Sequence, residues 1–155
     1  MRTLYFDLDG TVVTGFGGVA KTLLAEGGFE RAVRAAGCSR LVCVGNAVAI
    51  FQSLARMGQD HDGIGTVFRL CQGAFLDEAW LRSVLELTPI DPHRRVEGID
   101  RGLDWLYVDD LAEQYCRDAG AEELFSAERG RRILRCDPEG DGQDVLAWLE
   151  EWKVA

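Results

Sequence analysis

Two carboxylates and a glycine close the first apolar run of the chain, Leu4-Tyr5-Phe6-Asp7-Leu8-Asp9-Gly10-Thr11-Val12-Val13. In an extended segment, residues i and i+2 point to the same side. Asp7 and Asp9 can therefore converge on one point. Like charges held that close are costly unless a metal ion or a shared proton sits between them. Gly10 lets the backbone turn sharply right after the pair. A strand end built this way can hold a divalent cation and a nucleophile together. The plainer alternative is a surface turn, but such turns rarely follow a buried-type strand with a β-branched run beyond.

Two further apolar runs end in polar residues. Trp105-Leu106-Tyr107-Val108 ends in Asp109-Asp110. Carboxylate oxygens suit magnesium, a hard cation. The same pair could cap the helix that follows, and the two roles are compatible. Leu41-Val42-Cys43-Val44 ends in Gly45-Asn46. There the backbone N–H groups of the next helix start, and the Asn46 amide, could bind an anion.

These residues need a scaffold that gathers them. Residues 3–9 read as a buried strand and residues 10–18 as a Gly-rich hairpin or flap. Apolar residues at helical spacing run through 21–36, with Gly27-Gly28 as a break and Lys21 opening a helix. A strand over 41–44 leads into a helix over 47–56 and a polar loop over 57–63. Thr66–Leu70 is predicted as a strand. Asp77 caps a helix predicted to run to about Leu87, punctuated by Pro89 and Pro92. A strand over 103–108, a helix over 111–119, a strand over 132–136 and a helix over 144–152 complete the chain. Short apolar strands alternating with helices predict a parallel sheet covered on both faces. In such sheets ligands bind at the carboxyl ends of the strands, which places all three polar strand ends on one rim.

At this point a family resemblance is evident. Phe6-Asp7-Leu8-Asp9-Gly10-Thr11-Val12 resembles the first motif of the haloacid dehalogenase superfamily, most of whose members are magnesium-dependent phosphatases. Asp109-Asp110 resembles its fourth motif. The resemblance implies an α/β three-layer sandwich with a central, Rossmann-like parallel sheet. Residues 1–155 would form a single domain of this type, with a minimal cap or none. It implies Mg2+ as cofactor and a phosphorylated substrate of unknown size. Asp7 would be the nucleophile that becomes an aspartyl phosphate, and Asp9 the general acid and base. Asp7, Asp110 and the Asp9 carbonyl would hold the metal, with Asp109 a ligand or a partner behind the ligands. Gly10, Thr11, Gly45 and Asn46 would surround the phosphate.

Two positions depart from the family pattern. The second motif normally supplies a Thr or Ser where this chain has Gly45 and Asn46. The third normally supplies a lysine, and no lysine lies between Lys21 and Lys153. Arg94, Arg95 or Arg101 must take that role, with Arg94 and Arg95 the candidate phosphate contacts. These departures motivate an alternative: a protein of the same fold that binds phosphate, or regulates, without turnover.

A rival motif overlaps the flap. Gly15-Phe16-Gly17-Gly18-Val19-Ala20-Lys21-Thr22 approaches the phosphate loop of nucleotide-hydrolysing enzymes, with Asp109 as its downstream magnesium acid. Ala20 stands where that loop needs a glycine. Asp137–Gly142 fails as a calcium loop because Trp148 takes the place of its final glutamate.

Bulk properties restrict the partners. The chain has 155 residues and a formal net charge of -9. Such acidity argues against general nucleic-acid binding, which needs clustered Lys and Arg. Five cysteines, with no Cys-x-x-Cys pair, read as buried apolar residues in a reducing compartment. The chain starts directly with a strand and has no membrane-length apolar run, so a cytoplasmic location is expected.

Overall fold

The computed structural model describes residues 1–14, 19–58, 62–71, 73–88 and 90–155, without the side chains of residues 47, 51, 52 and 55. Its centre is one sheet of five parallel strands: β1 (Arg2–Phe6), β2 (Cys38–Cys43), β3 (Leu85–Leu87), β4 (Asp104–Asp109) and β5 (Ile133–Arg135). The spatial order is β3-β2-β1-β4-β5. The chain builds outward from β1 in one direction, then returns to build outward in the other. This Rossmann-like arrangement has its switch point at the carboxyl ends of β1 and its neighbours.

Alternation along the strands decides the two cores. Leu4, Phe6, Leu41, Cys43, Leu106 and Val108 face one apolar cluster. Tyr5, Val42, Trp105, Tyr107 and Ile133 face the other. Strands buried on both faces read as continuous apolar runs, which is how β1, β2 and β4 appear in the sequence. Helices cover both faces: α1 (Gly28–Ala35), α2 (Ala47–Arg56), α3 (Gly63–Leu70), α4 (Glu78–Val84), α5 (Ala112–Asp118), α6 (Glu122–Glu128) and α7 (Gln143–Glu150). None of the described helices is long and apolar enough to cross a membrane.

Several elements differ from the sequence reading. Thr66–Leu70 lies in α3, not in a strand. The Asp62 carboxylate caps that helix by accepting the Gly65 N–H at 3.0 Å. Ile64, Val67, Phe68 and Cys71 then turn one stripe toward the core. Asp77 does cap a helix, accepting the Trp80 N–H at 2.9 Å. That helix stops at Val84, and the chain passes directly into β3, which pairs with β2. Lys21 does not open a helix, because residues 22–27 form turns and α1 begins at Gly28. A 3-10 helix over Pro92–Gly98, and α6, were not anticipated. The glycines at 15, 17 and 18, with Phe16 and His61, lie outside the described residues.

Leu106 is fully buried in the central pair of strands. Leu106→Ala is expected to cost about 2–5 kcal/mol, read from the shift in denaturant midpoint. A cost near zero would contradict a close-packed core at β4.

Candidate functional site

Register sets the site. Phe6 of β1 pairs with Val108 of β4 and with Cys43 of β2. The ladder continues one step beyond: the Asp7 N–H donates to the Val108 carbonyl and the Val44 N–H to the Phe6 carbonyl. The next residue on each strand, Asp7 and Asp109, must therefore be neighbours at the rim. Asp7, Asp109 and Asp110 each bring a carboxylate oxygen to within 4.8 Å of the others. Asp7 thus meets the acid pair that lies a hundred positions further along the sequence.

Arg95 is the counter-charge. It is 2% exposed, on the 3-10 helix, where Val96 is buried beside it. Its Nη1 lies 2.8 Å from Asp109 Oδ2 and 3.4 Å from Asp7 Oδ1. Its Nη2 donates to Asn46 Oδ1 at 2.8 Å and to the Tyr115 hydroxyl at 3.0 Å. Its Nε donates to the Pro92 carbonyl at 2.6 Å, and the guanidinium stacks 3.8 Å over the Tyr115 ring. Every nitrogen of the fork thus has an acceptor inside the protein. Asp109 is equally engaged: besides Arg95, it accepts the Tyr107 hydroxyl at 2.7 Å and the Leu111 N–H at 2.9 Å. The helix-cap role foreseen for the pair is not filled: Leu111 is the N-cap of α5, without a side-chain cap hydrogen bond, and Asp109 accepts the N–H of that residue.

Two glycines make room for the acids. A Cβ at Gly45 would lie 2.5 Å from Asp7 Oδ1, and a Cβ at Gly10 would lie 2.6 Å from Asp110 Oδ2. The Ser or Thr of the family pattern has no space at 45 in this arrangement, because the Asp7 carboxylate fills it. Thr11 is buried, and its hydroxyl accepts the Asp110 N–H at 3.2 Å, from beneath the cluster.

The remaining sequence candidates stand outside the group of three acids. β1 ends at Phe6, before the Asp7-Leu8-Asp9 step, so the two-residue alternation does not carry Asp9 into the group of three acids. Asp9 is half-buried on the turn that follows. Arg94 is exposed and pairs with Glu97, away from the acids. Arg101 is also exposed. Lys21 is fully buried, with its Nζ donating to the Asp137 carbonyl at 2.7 Å. A phosphate-loop lysine needs the start of a helix to work from, and Lys21 has none. Tyr107 and Tyr115 went unnoticed in sequence, since an apolar strand and an amphipathic helix give each tyrosine an ordinary packing role. The cysteines are inert: burial pushes the Cys43 and Cys136 thiols up to about 12.

The electrostatics follow from burial. Burial, then the Asp109 charge, holds the Asp7 carboxyl well above the usual carboxylate range, and Arg95 pulls against that rise. Burial and Asp109 also raise Asp110. Burial alone raises Asp9. Three clustered carboxylates, two of them against one guanidinium, leave two negative charges uncompensated when all are ionised. Those two charges match one divalent cation, and hard oxygen donors are its preferred chemistry. Asp7 and Asp110 keep more acceptor capacity than Asp109. Protons must balance the charge when no cation does.

Comparison with protein-family models, with curated proteins and with solved structures finds no match.

Raised carboxylate pKa values make a signed prediction for metal-free protein. A group whose folded pKa lies above its unfolded value contributes stability below the unfolded value, and loses it as pH rises through the folded one. Asp7→Asn removes the charge and keeps the shape. Its melting temperature should exceed that of wild type by a margin that grows as pH rises above about 4. Gly45→Ala should act in the opposite sense, at a cost of about 1–3 kcal/mol. Equal melting curves across the pH range would show that Asp7 is not crowded.

Proposed function

We propose that this chain is a divalent-metal-dependent phosphomonoester hydrolase, with Asp7 as nucleophile. The observation that carries the reading is the convergence of Asp7, Asp109 and Asp110 beside Arg95 at the carboxyl rim, on the strand ends whose motifs resemble the haloacid dehalogenase superfamily.

Asp7 and Asp110 would hold the cation, with Asp109 behind them. Magnesium, when bound, would offset the repulsion between Asp7 and an incoming phosphate and stabilise charge on the transferred group. Arg95 orients Asp109 and restrains Asp7, so that one Asp7 oxygen faces the site. That oxygen forms a bond to phosphorus as the bond to the leaving oxygen breaks. Asp9, with its raised pKa, donates a proton to the departing alkoxide. Water then attacks the aspartyl phosphate, Asp9 takes its proton, and Asp7 is released with inorganic phosphate. In this reading Arg95 positions the acids rather than touching phosphate, because its fork is already occupied.

One observation favours a second reading, a phosphate-binding or regulatory protein without turnover. The site has no hydroxyl at Gly45, and no free N–H on Arg95, to grip the phosphate oxygens. Release of inorganic phosphate from a panel of phosphomonoesters, with and without magnesium, separates the two. Wild type should turn over only with metal. Asp7→Asn should lose at least ~10³-fold in kcat, and Asp9→Asn roughly 10²- to 10⁴-fold. Wild-type protein that binds phosphate with magnesium yet hydrolyses no ester would replace the first reading with the second.

A further inference from the structure

A cleft of about 450 Å3 opens beside the acid cluster and shares Asp110 with it. It lies at the carboxyl ends of β4 and β5. One wall is α5, which contributes Glu113 and Arg117; the other is the end of β5 and the segment after it, from Arg135 through Asp137, closed by Asp144. Its volume suits a small molecule. The reaction assigned to Asp7 does not use it.

The hydrogen bonds inside the cleft are unequally shared. Asp144 accepts the Asp137 N–H through one oxygen and the Val145 N–H through the other, at 2.7 and 2.8 Å. Asp137 accepts the Glu139 N–H at 2.9 Å. Glu113 takes Arg135 Nη1 at 3.0 Å, with Arg117 Nη2 at 3.8 Å. Asp110 belongs to the acid cluster. Each of these carboxylates is therefore engaged, whereas two guanidiniums share a single carboxylate. Their side chains are 55% and 61% exposed, so both forks are open to the cleft's solvent. Both forks keep unused N–H donors, although the acids also keep acceptor sites, and a planar guanidinium fork matches a carboxylate or phosphate.

We propose that this cleft receives the leaving group of the substrate, and that Arg117 and Arg135 select a small alcohol bearing a second anionic group, a carboxylate or another phosphate. The assignment of the reaction rests on the phosphomonoesterase reading above; the binding preference does not. The shared Asp110 fixes the arrangement: the phosphoryl end meets the acid cluster, and the anionic tail extends along α5 toward Arg117 and Arg135. The four acids of the cleft make a competing expectation, preference for a cationic alcohol.

Binding and turnover test the two layers separately. Calorimetric titration in magnesium compares 3-phosphonopropionate with propylphosphonate and 3-aminopropylphosphonate, none of which can be hydrolysed at the phosphonate. Wild type should bind the carboxylate-bearing probe roughly tenfold more tightly than the propyl probe. Arg135→Gln and Arg117→Gln, both at exposed positions, should each reduce that ratio, and the double variant should bring it close to one. Equal binding of all three probes, binding of none, or preference for the amine overturns the proposal. Steady-state assays with 2-phosphoglycolate and ethyl phosphate follow. If wild type hydrolyses both, the ratio of their kcat/KM values should fall in the double variant, through KM. Absence of turnover, with the binding ratio and its loss intact, removes the phosphatase reading and leaves the anion-selective cleft standing.

Discussion

Charge crowding at the end of β1 governs the design of this rim. Parallel pairing in register makes Asp7 and Asp109 adjacent, because each follows the last pair that β1 and β4 make, Phe6 with Val108. Neither can retreat into solvent, since Asp7 is 7% exposed and Asp109 is fully buried. Unpaired charges in such a place are costly, and the protein must supply a partner or take up protons. Arg95 is that partner. The 3-10 helix that carries it, the tyrosines at 107 and 115 and the Asn46 amide all serve to hold one guanidinium against the acids. Gly10 and Gly45 are the steric side of the same constraint: each gives up a side chain where a carboxylate needs the volume.

The fold class was legible because strands buried on both faces leave runs that a sequence displays openly. β1, β2 and β4 are such runs, and the three polar strand ends follow from them. Short edge elements were less legible. β3 has only three residues and follows α4 without a turn signal, so Leu85–Leu87 read as more helix. α3 illustrates competition between signals. Thr66, Val67 and Phe68 have β propensity, yet Ile64, Val67, Phe68 and Cys71 repeat at helical spacing behind an Asp62 cap. Burial of that stripe outweighs the propensity of single residues.

The site was half legible for a different reason. Residue type and strand position mark Asp7, Asp109 and Asp110, and those positions follow from register. Asp9 was placed by extending the strand three residues too far, past the point where the chain leaves the sheet. Arg95 was one of two arginines named as phosphate contacts, beside Arg94, in a stretch with no periodicity to rank them. Packing distinguishes it: Val96 enters the core and carries Arg95 inward, while Arg94 turns out to Glu97. Tyr107 and Tyr115 matter through their hydroxyls, and a sequence does not show where a hydroxyl points.

Arg95 and Gly45 belong to one arrangement. A lysine ammonium has three donors on a point charge, whereas the Arg95 fork reaches Asp109, Asp7, Asn46, Tyr115 and Pro92 together. Asn46 can offer its amide oxygen to that fork because it follows directly after Gly45, where the chain passes close over Asp7. A bulkier residue at 45 would push against the same Asp7 oxygen that Arg95 steadies. The larger cation and the missing side chain thus compensate each other around one carboxylate. The consequence is directional. The β2 side of the rim is filled by Asn46 and the enclosed guanidinium, and the cleft opens on the β5 side. A ligand using that cleft reaches the acid cluster past Asp110, with its remaining atoms lying against α5.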